Sequence, residues 1–117
     1  MALDNQMTVA AIQKAVSDFR DARDWRQFHS PKNLSMSIAI EAAELMEHFQ
    51  WLTTAEASNL AAQDAEARQA IVEELADVLI YCFSLADVLE CDVGEIVLDK
   101  LAKNKVKYPA DQYRGRY

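Results

Sequence analysis

The residues best suited to chemistry in this 117-residue chain are two pairs of carboxylates. The first pair is Glu41 and Glu44, and the second is Glu74 and Asp77. A spacing of three residues places both acids of a pair on one face of a helix, where like charges repel and add no helix stability. Both pairs interrupt apolar sequence, so we expect them to border a buried face. An acid in that position needs a partner.

A divalent cation is the partner that this sequence favours. Between residues 31 and 90 the only lysine or arginine side chains are Lys32 and Arg68. Mg²⁺ prefers carboxylate oxygens and shares its ligand shell with substrate phosphates, so two antiparallel helices with one acid pair each would form a four-oxygen site. The competing interpretation is that all four acids are ordinary solvated helix residues. A di-iron site is disfavoured, because it requires Glu-x-x-His on two helices and Glu44 is followed at that spacing by Glu47.

Helices must position these acids, because only two glycines and two prolines occur in the chain. Thr8 is a suitable cap for a first helix that we predict to end at about Trp25. An aperiodic loop follows, and Ser30 before Pro31 is a typical helix start. The second helix, with the first acid pair, is predicted to end at about Gln50.

Three further helix starts follow in the sequence. Thr53 begins a capping box for a short third helix, and Asp64 can cap a long fourth helix that reaches about Glu90. Asp92 begins another capping box, and the helix after it should stop before Pro109. We predict a polar, mobile tail over about 110–117. The predicted buried face of the fourth helix consists of Ile71, Leu75, Val78, Cys82, Leu85 and Leu89.

Composition indicates one globular domain over residues 1–117, with 51% hydrophobic and 26% charged residues. A net charge of −7 argues against a nucleic-acid polymer as partner. No apolar run is long enough for a membrane span. Cys82 and Cys91 lack metal-ligand spacing and are typical of reduced, buried thiols in a cytoplasmic protein. A small helical domain often completes its core by self-association, so we expect an oligomer.

Four blocks of the sequence, in order, resemble the all-α nucleoside triphosphate pyrophosphohydrolases of the MazG-like superfamily. They are more similar to its dCTP pyrophosphatase-type branch, which includes integron-associated bacterial MazG-like proteins. The blocks are residues 23–34, 44–51, 73–81 and 100–109. The resemblance implies a four-helix-bundle-type fold, a homodimer or a dimer of dimers, and an enzyme that cleaves a nucleoside triphosphate into the monophosphate and pyrophosphate, with nucleotide-pool cleansing as its usual role.

The resemblance also implies roles for the acids. Glu41, Glu44, Glu74 and Asp77 match the ExxE…ExxD motif and would hold Mg²⁺, and Glu44 is the candidate to accept a proton from the attacking water. Two departures from the family pattern stand out. The spacer between Glu44 and Glu74 is long, at twenty-nine residues, and His48 occupies a position that is usually apolar. His48 either touches the metal shell or fills a boundary site, and the second interpretation is favoured.

Substrate residues follow from the same resemblance. A base pocket is expected from four aromatic or imidazole side chains, namely Trp25, His29, Trp51 and Tyr81. Cytosine is the leading candidate for the bound base, and adenine is the second. Phosphate contacts are expected from one face of the last helix, namely Lys100, Asn104 and Lys107, although these residues also suit a solvated basic helix end. The alternatives are a catalytically silent helical interaction module and a related pyrophosphatase acting on phosphoribosyl-ATP or dUTP.

Overall fold

Residues 2–116 are described by a computed structural model, and within them the chain is all-α, without a strand. This confirms the predicted fold class. Met1 and Tyr117, the ends of the predicted domain and tail, lie outside the described residues. The helices are α1 (Val9–Ala22), α2 (Pro31–Glu47), α3 (Thr54–Gln63), α4 (Ala65–Val88), α5 (Val93–Lys107) and α6 (Ala110–Tyr113), with short 3₁₀ turns at Leu3–Asn5 and Arg26–Phe28.

Helix α4 is the centre of the fold. Helix α2 packs along it over the longest stretch, α1 and α3 also pack against it, and α5 contacts α1. The two helices that contain the acid pairs are therefore direct neighbours, as the four-oxygen site requires. None of the helices within residues 2–116 combines the length and the apolar character needed to cross a membrane.

The predicted helix starts are confirmed by their capping hydrogen bonds. The Thr8 hydroxyl accepts a hydrogen bond from the backbone N–H of Ala11. The Ser30 hydroxyl accepts one from the backbone N–H of Asn33, and Pro31 is the first residue of that helix. These bonds satisfy N–H groups that the first helical turn leaves unpaired. At the start of α4, Asp64 accepts from the N–H of Ala67.

The two predicted capping boxes differ in the structure. Thr53 and Glu56 exchange both hydrogen bonds of a complete box at the start of α3. At α5 the Asp92 carboxylate accepts from the N–H of Glu95 at 2.8 Å, but the reciprocal side-chain bond is not formed. The prediction of a helix start was right there, whereas the prediction of a box was wrong.

Helix ends are where the structure departs most from the predicted boundaries. Helix α1 stops at Ala22 rather than Trp25, because Asp24 adopts a left-handed conformation with φ 53°. The backbone N–H of Trp25 then donates to the carbonyl of Arg20 at 3.1 Å, which turns the chain away from the helix axis. The start of the predicted mobile tail forms the short helix α6, in which Tyr113 packs edge-on against Tyr108.

The core of a single chain is small. Leu34 and Ala86 are the only hydrophobic residues of the described chain that are fully buried. The predicted buried face of α4 is partly wrong, because Leu75, Cys82 and Leu89 are exposed. Helices α1, α2 and α3 of the same chain pack against α4 but leave these three residues exposed. Cys82 is thus not the buried thiol we expected.

Candidate active site

The acid pairs meet between α2 and α4. One carboxylate oxygen each from Glu41, Glu44 and Glu74 lies within 4.8 Å of the others. Asp77, one turn beyond Glu74 on α4, lines a cavity together with Glu41. Two helices packed side by side therefore bring all four predicted acids to one place, which local sequence spacing alone could not ensure.

Glu41 lies at the electrostatic centre of this cluster. Burial raises the pKa of Glu41 to about 7, with further contributions from hydrogen bonds to Glu44 and Glu74 and from the charges of Glu44 and Asp77. Without a cation, the protein reduces the repulsion by keeping a proton on this carboxyl group up to neutral pH.

Two oxygens in the cluster have no partner of their own. Oε2 of Glu41 and Oε2 of Glu74 are buried, and when both groups are ionised no described residue donates a hydrogen bond to either oxygen. Buried unpaired carboxylate oxygens are costly, and a hard divalent cation is the group that satisfies them. The residues present thus fit the predicted Mg²⁺ in both number and chemistry.

A cavity of about 190 Å³ opens directly beside the acids. In addition to Glu41 and Asp77, it is lined by Val16, Phe19, Arg20, Trp25, His29, Ile80, Tyr81 and Ser84. Trp25 is held edge-on against Phe19, with ring centroids 5.8 Å apart. Three of the four residues predicted for the base pocket therefore line one cavity next to the acids.

His29 is the polar member of the predicted pocket, and its ring nitrogen Nδ1 is buried without a hydrogen-bond partner. Burial lowers the pKa of His29, and the positive charge of Arg20 lowers it further. The imidazole is therefore neutral at physiological pH and can offer one donor and one acceptor to a ligand.

The remaining predicted site residues lie elsewhere in the single chain. Trp51 is 86% exposed and does not line the cavity. Lys100 and Asn104 line a separate open groove on α5, and the ammonium of Lys107 lies 5.2 Å from the ring of Tyr108. Their substrate roles stay predictions.

His48, which departs from the family pattern, lies at the end of α2. It is half-buried and packs edge-on against Phe49 at 6.5 Å between ring centroids. It does not belong to the three-carboxylate cluster. The favoured interpretation, a side chain that fills a boundary position, agrees with this packing.

Sequence reasoning missed two polar residues of the cavity. Arg20 and Ser84 are both only 3% exposed. A signal was present for Arg20, because it continues the four-residue spacing of Ile12 and Val16 and so lies on the buried face of α1. An arginine at such a position must be paired with acids or serve a site.

Comparisons with known proteins identify the family of this chain. The model of the MazG-like family matches residues 36–116. The chain is 41% identical over 108 residues to dCTP pyrophosphatase 1 of Rattus norvegicus and, over the same length, 41% identical to dCTP pyrophosphatase 1 of Homo sapiens. Each match covers 92% of this chain and 63% of the relative. The chain thus spans less than two thirds of the length of these relatives.

A solved structure of a pyrophosphatase is also similar to this chain. A pyrophosphatase from Archaeoglobus fulgidus DSM 4304 superposes with a TM-score of 0.77 at 42% sequence identity, over 84% of this chain and 89% of the other. The chain belongs to the MazG-like family. Its similarity to the dCTP pyrophosphatases confirms the branch that the four sequence blocks predicted.

Proposed function

We propose that this chain is a Mg²⁺-dependent nucleoside triphosphate pyrophosphohydrolase that cleaves between the α- and β-phosphates and prefers deoxynucleotides such as dCTP. The observation that carries the proposal is the cluster of Glu41, Glu44 and Glu74, with buried unpaired oxygens, beside an aromatic-lined cavity. The names of the relatives, dCTP pyrophosphatase 1, support the same substrate class. A role in cleansing the nucleotide pool follows from such an activity.

The acids divide the chemistry between binding and proton transfer. Glu41, Glu44, Glu74 and Asp77 would hold the metal. When bound, Mg²⁺ offsets the charge of the phosphate oxygens and acts as a Lewis acid. Glu44 accepts a proton from the water whose oxygen attacks the α-phosphorus. The bond from that phosphorus to the bridging oxygen breaks, so pyrophosphate leaves and the water oxygen remains on the nucleoside monophosphate.

The cavity next to the acids is the proposed site of the nucleoside. Trp25 and Tyr81 provide aromatic surface for a base, and neutral His29 provides a hydrogen-bonding group at its edge. A cavity of about 190 Å³ beside a polyphosphate site has the mixed apolar and polar lining that is typical of small-molecule sites.

Self-association would complete this site. Large apolar side chains are exposed on both acid-bearing helices, for example Ile40 on α2 and Leu79 on α4. Val106 on α5 is 82% exposed, and exposed apolar surface on several helices is typical of a region that contacts another protein. A second copy that covers these faces could also bring Trp51 and the lysines of α5 to the acids. We therefore propose a homodimer or a dimer of dimers.

The test is pyrophosphate release from each dNTP, each NTP, dUTP and phosphoribosyl-ATP, with Mg²⁺ and with excess EDTA, by the wild-type chain, by Glu74→Gln and by a matched control. Glu74→Gln removes a proposed metal ligand and should abolish turnover and Mg²⁺ binding while helical content by circular dichroism stays unchanged. The neighbouring Glu73 is exposed and bonds only to Gln69, so Glu73→Gln should remain active.

Each alternative has its own outcome in this assay. Equal activity of the two variants would remove Glu74 from the metal site. No release from any nucleotide by the wild-type chain would favour a catalytically silent interaction module. Release from dUTP or phosphoribosyl-ATP alone would place the chain in another branch of the family.

A further inference from the structure

The cavity beside the acids has two deeply buried polar residues to which the proposed chemistry assigns no role. Arg20 on α1 and Ser84 on α4 are the most buried residues of its lining, each 3% exposed. We call these two residues the polar floor. A hydroxyl without a hydrogen bond and a guanidinium with free donors are costly to bury in a cavity, so a role in the site accounts for them.

Two carboxylates fix the guanidinium of Arg20 in place. Its Nε donates to Oδ1 of Asp21 at 2.9 Å, and its Nη1 donates to Oδ2 of Asp87 on α4 at 2.6 Å. The hydrogen bond that Arg20 donates to Asp21 raises the pKa of Arg20 against the opposing effect of burial, so the group remains protonated. Because an arginine has five N–H donors, these two bonds leave several donors free. Nη2 donates to no described residue.

The hydroxyl of Ser84 lacks the backbone hydrogen bond that three of the other helical serines make. Ser17, Ser35 and Ser58 each donate a hydrogen bond to a backbone carbonyl three or four residues earlier in their own helix. Ser84 makes no such bond within residues 2–116. Its hydroxyl is thus available in the cavity that Arg20 also lines.

Helix α4 contains both an acid, Asp77, and a residue of the polar floor, Ser84. Asp77, Tyr81 and Ser84 share one face of α4, at spacings of four and three residues. Seven residues of helix span about 10 Å, at about 1.5 Å per residue. With phosphates held at the Asp77 end, a nucleoside that extends past Tyr81 would therefore bring the edge of its base to the polar floor.

We infer that Arg20 is the residue that selects the base, by donating two hydrogen bonds to the adjacent O2 and N3 acceptors of cytosine. Uracil and thymine have an N3–H donor between their two carbonyl groups, so they would place a donor against a donor and leave it unpaired. The cost of that mismatch is the source of the discrimination. This inference rests on the proposed function, and it assigns cytosine selectivity to a residue that is not among the four residues predicted for the base pocket.

The test compares dCMP with dUMP, which share the O2 acceptor and differ at N3, the atom that Arg20 would read, and at C4. Equilibrium binding to the wild-type protein and to Arg20→Lys can be measured by calorimetry, without turnover. Lysine keeps the charge between Asp21 and Asp87 but loses the planar pair of donors. A bidentate base contact corresponds to roughly 10- to 100-fold in discrimination, so the preference for dCMP over dUMP should fall by about that factor.

Arg68→Lys, at an exposed position near the start of α4, is the matched control and should keep the wild-type preference. A ratio for Arg20→Lys that stays within about twofold of wild type would overturn the inference. Should that variant fail to fold, as judged by thermal melting, Arg20→Gln decides, because its amide group offers one donor in place of the planar pair: an unchanged preference for dCMP overturns the inference, and a reduced preference supports it. Failure of the proposed function is a separate result, since it would appear as absence of pyrophosphate release while nucleotide binding is still measured.

Discussion

Replacement of Glu41 by glutamine should stabilise the metal-free protein while destroying its metal site. The cause is the environment of the carboxyl group, which is partly buried and faces Glu44, Glu74 and Asp77. Glutamine has nearly the same shape and offers an N–H donor to the neighbouring carboxylates, as the protonated acid does. Above neutral pH the wild-type protein must ionise Glu41 among three other acids, whereas Glu41→Gln does not.

The magnitude follows from the displaced pKa. Because the folded-state pKa of about 7 exceeds the ordinary value of 4.5, the folded state binds more protons than the unfolded state between these pH values. The stabilising contribution of the proton on Glu41 is therefore fully present below pH 4.5, declines between pH 4.5 and pH 7 and is lost above about pH 7. The full shift corresponds to about 3 kcal/mol, and partial solvent exposure reduces the gain for Glu41→Gln to about 1–3 kcal/mol. For a chain of this length that is an increase in Tm of about 4–12 °C.

The assay is thermal unfolding in EDTA at pH 5.5 to 8.5, a range that stays above the pI of 4.7. The difference in Tm between Glu41→Gln and wild type should grow with pH and level off above about pH 7. Added Mg²⁺ should raise the Tm of wild type and have little effect on the variant. Glu47→Gln, at an exposed position on the same helix, should match wild type throughout. A Glu41→Gln protein that is less stable than wild type at pH 8 would refute the electrostatic reasoning.

Three further outcomes can be checked. Light scattering at micromolar concentration should give at least a dimer, and a purely monomeric mass would contradict the proposed self-association. Trp51→Ala should lose roughly one to two decades of kcat/KM on dCTP, mainly through KM, because base stacking is worth about 1–3 kcal/mol; an unchanged KM for dCTP, dATP and CTP would mean that Trp51 is not in the base pocket. Glu74→Gln should lose turnover and Mg²⁺ binding where Glu73→Gln keeps both.

Several parts of the site could be predicted because they depend on neighbours along the chain. Helix starts follow from residues such as Ser30 and Thr53, whose hydroxyls accept from an N–H three residues away. The pairing of acids within one helix follows from the three-residue spacing alone. Helix ends were less predictable. The stop of α1 depends on the left-handed backbone of Asp24, and many residue types before it are compatible with a longer helix.

The sequence by itself thus determined the all-α class, the two acid pairs and, through the resemblance of ordered blocks, the family. It did not determine which apolar residues are covered, because α4 has apolar positions on more than one side and the packing of α1, α2 and α3 selects among them. Only the tertiary structure brought Arg20 against Asp87, sixty-seven residues away, and opened a cavity between that pair and the acids. A contact of this kind depends on how two helices pack, and the periodicity of each helix specifies a face but not its partner.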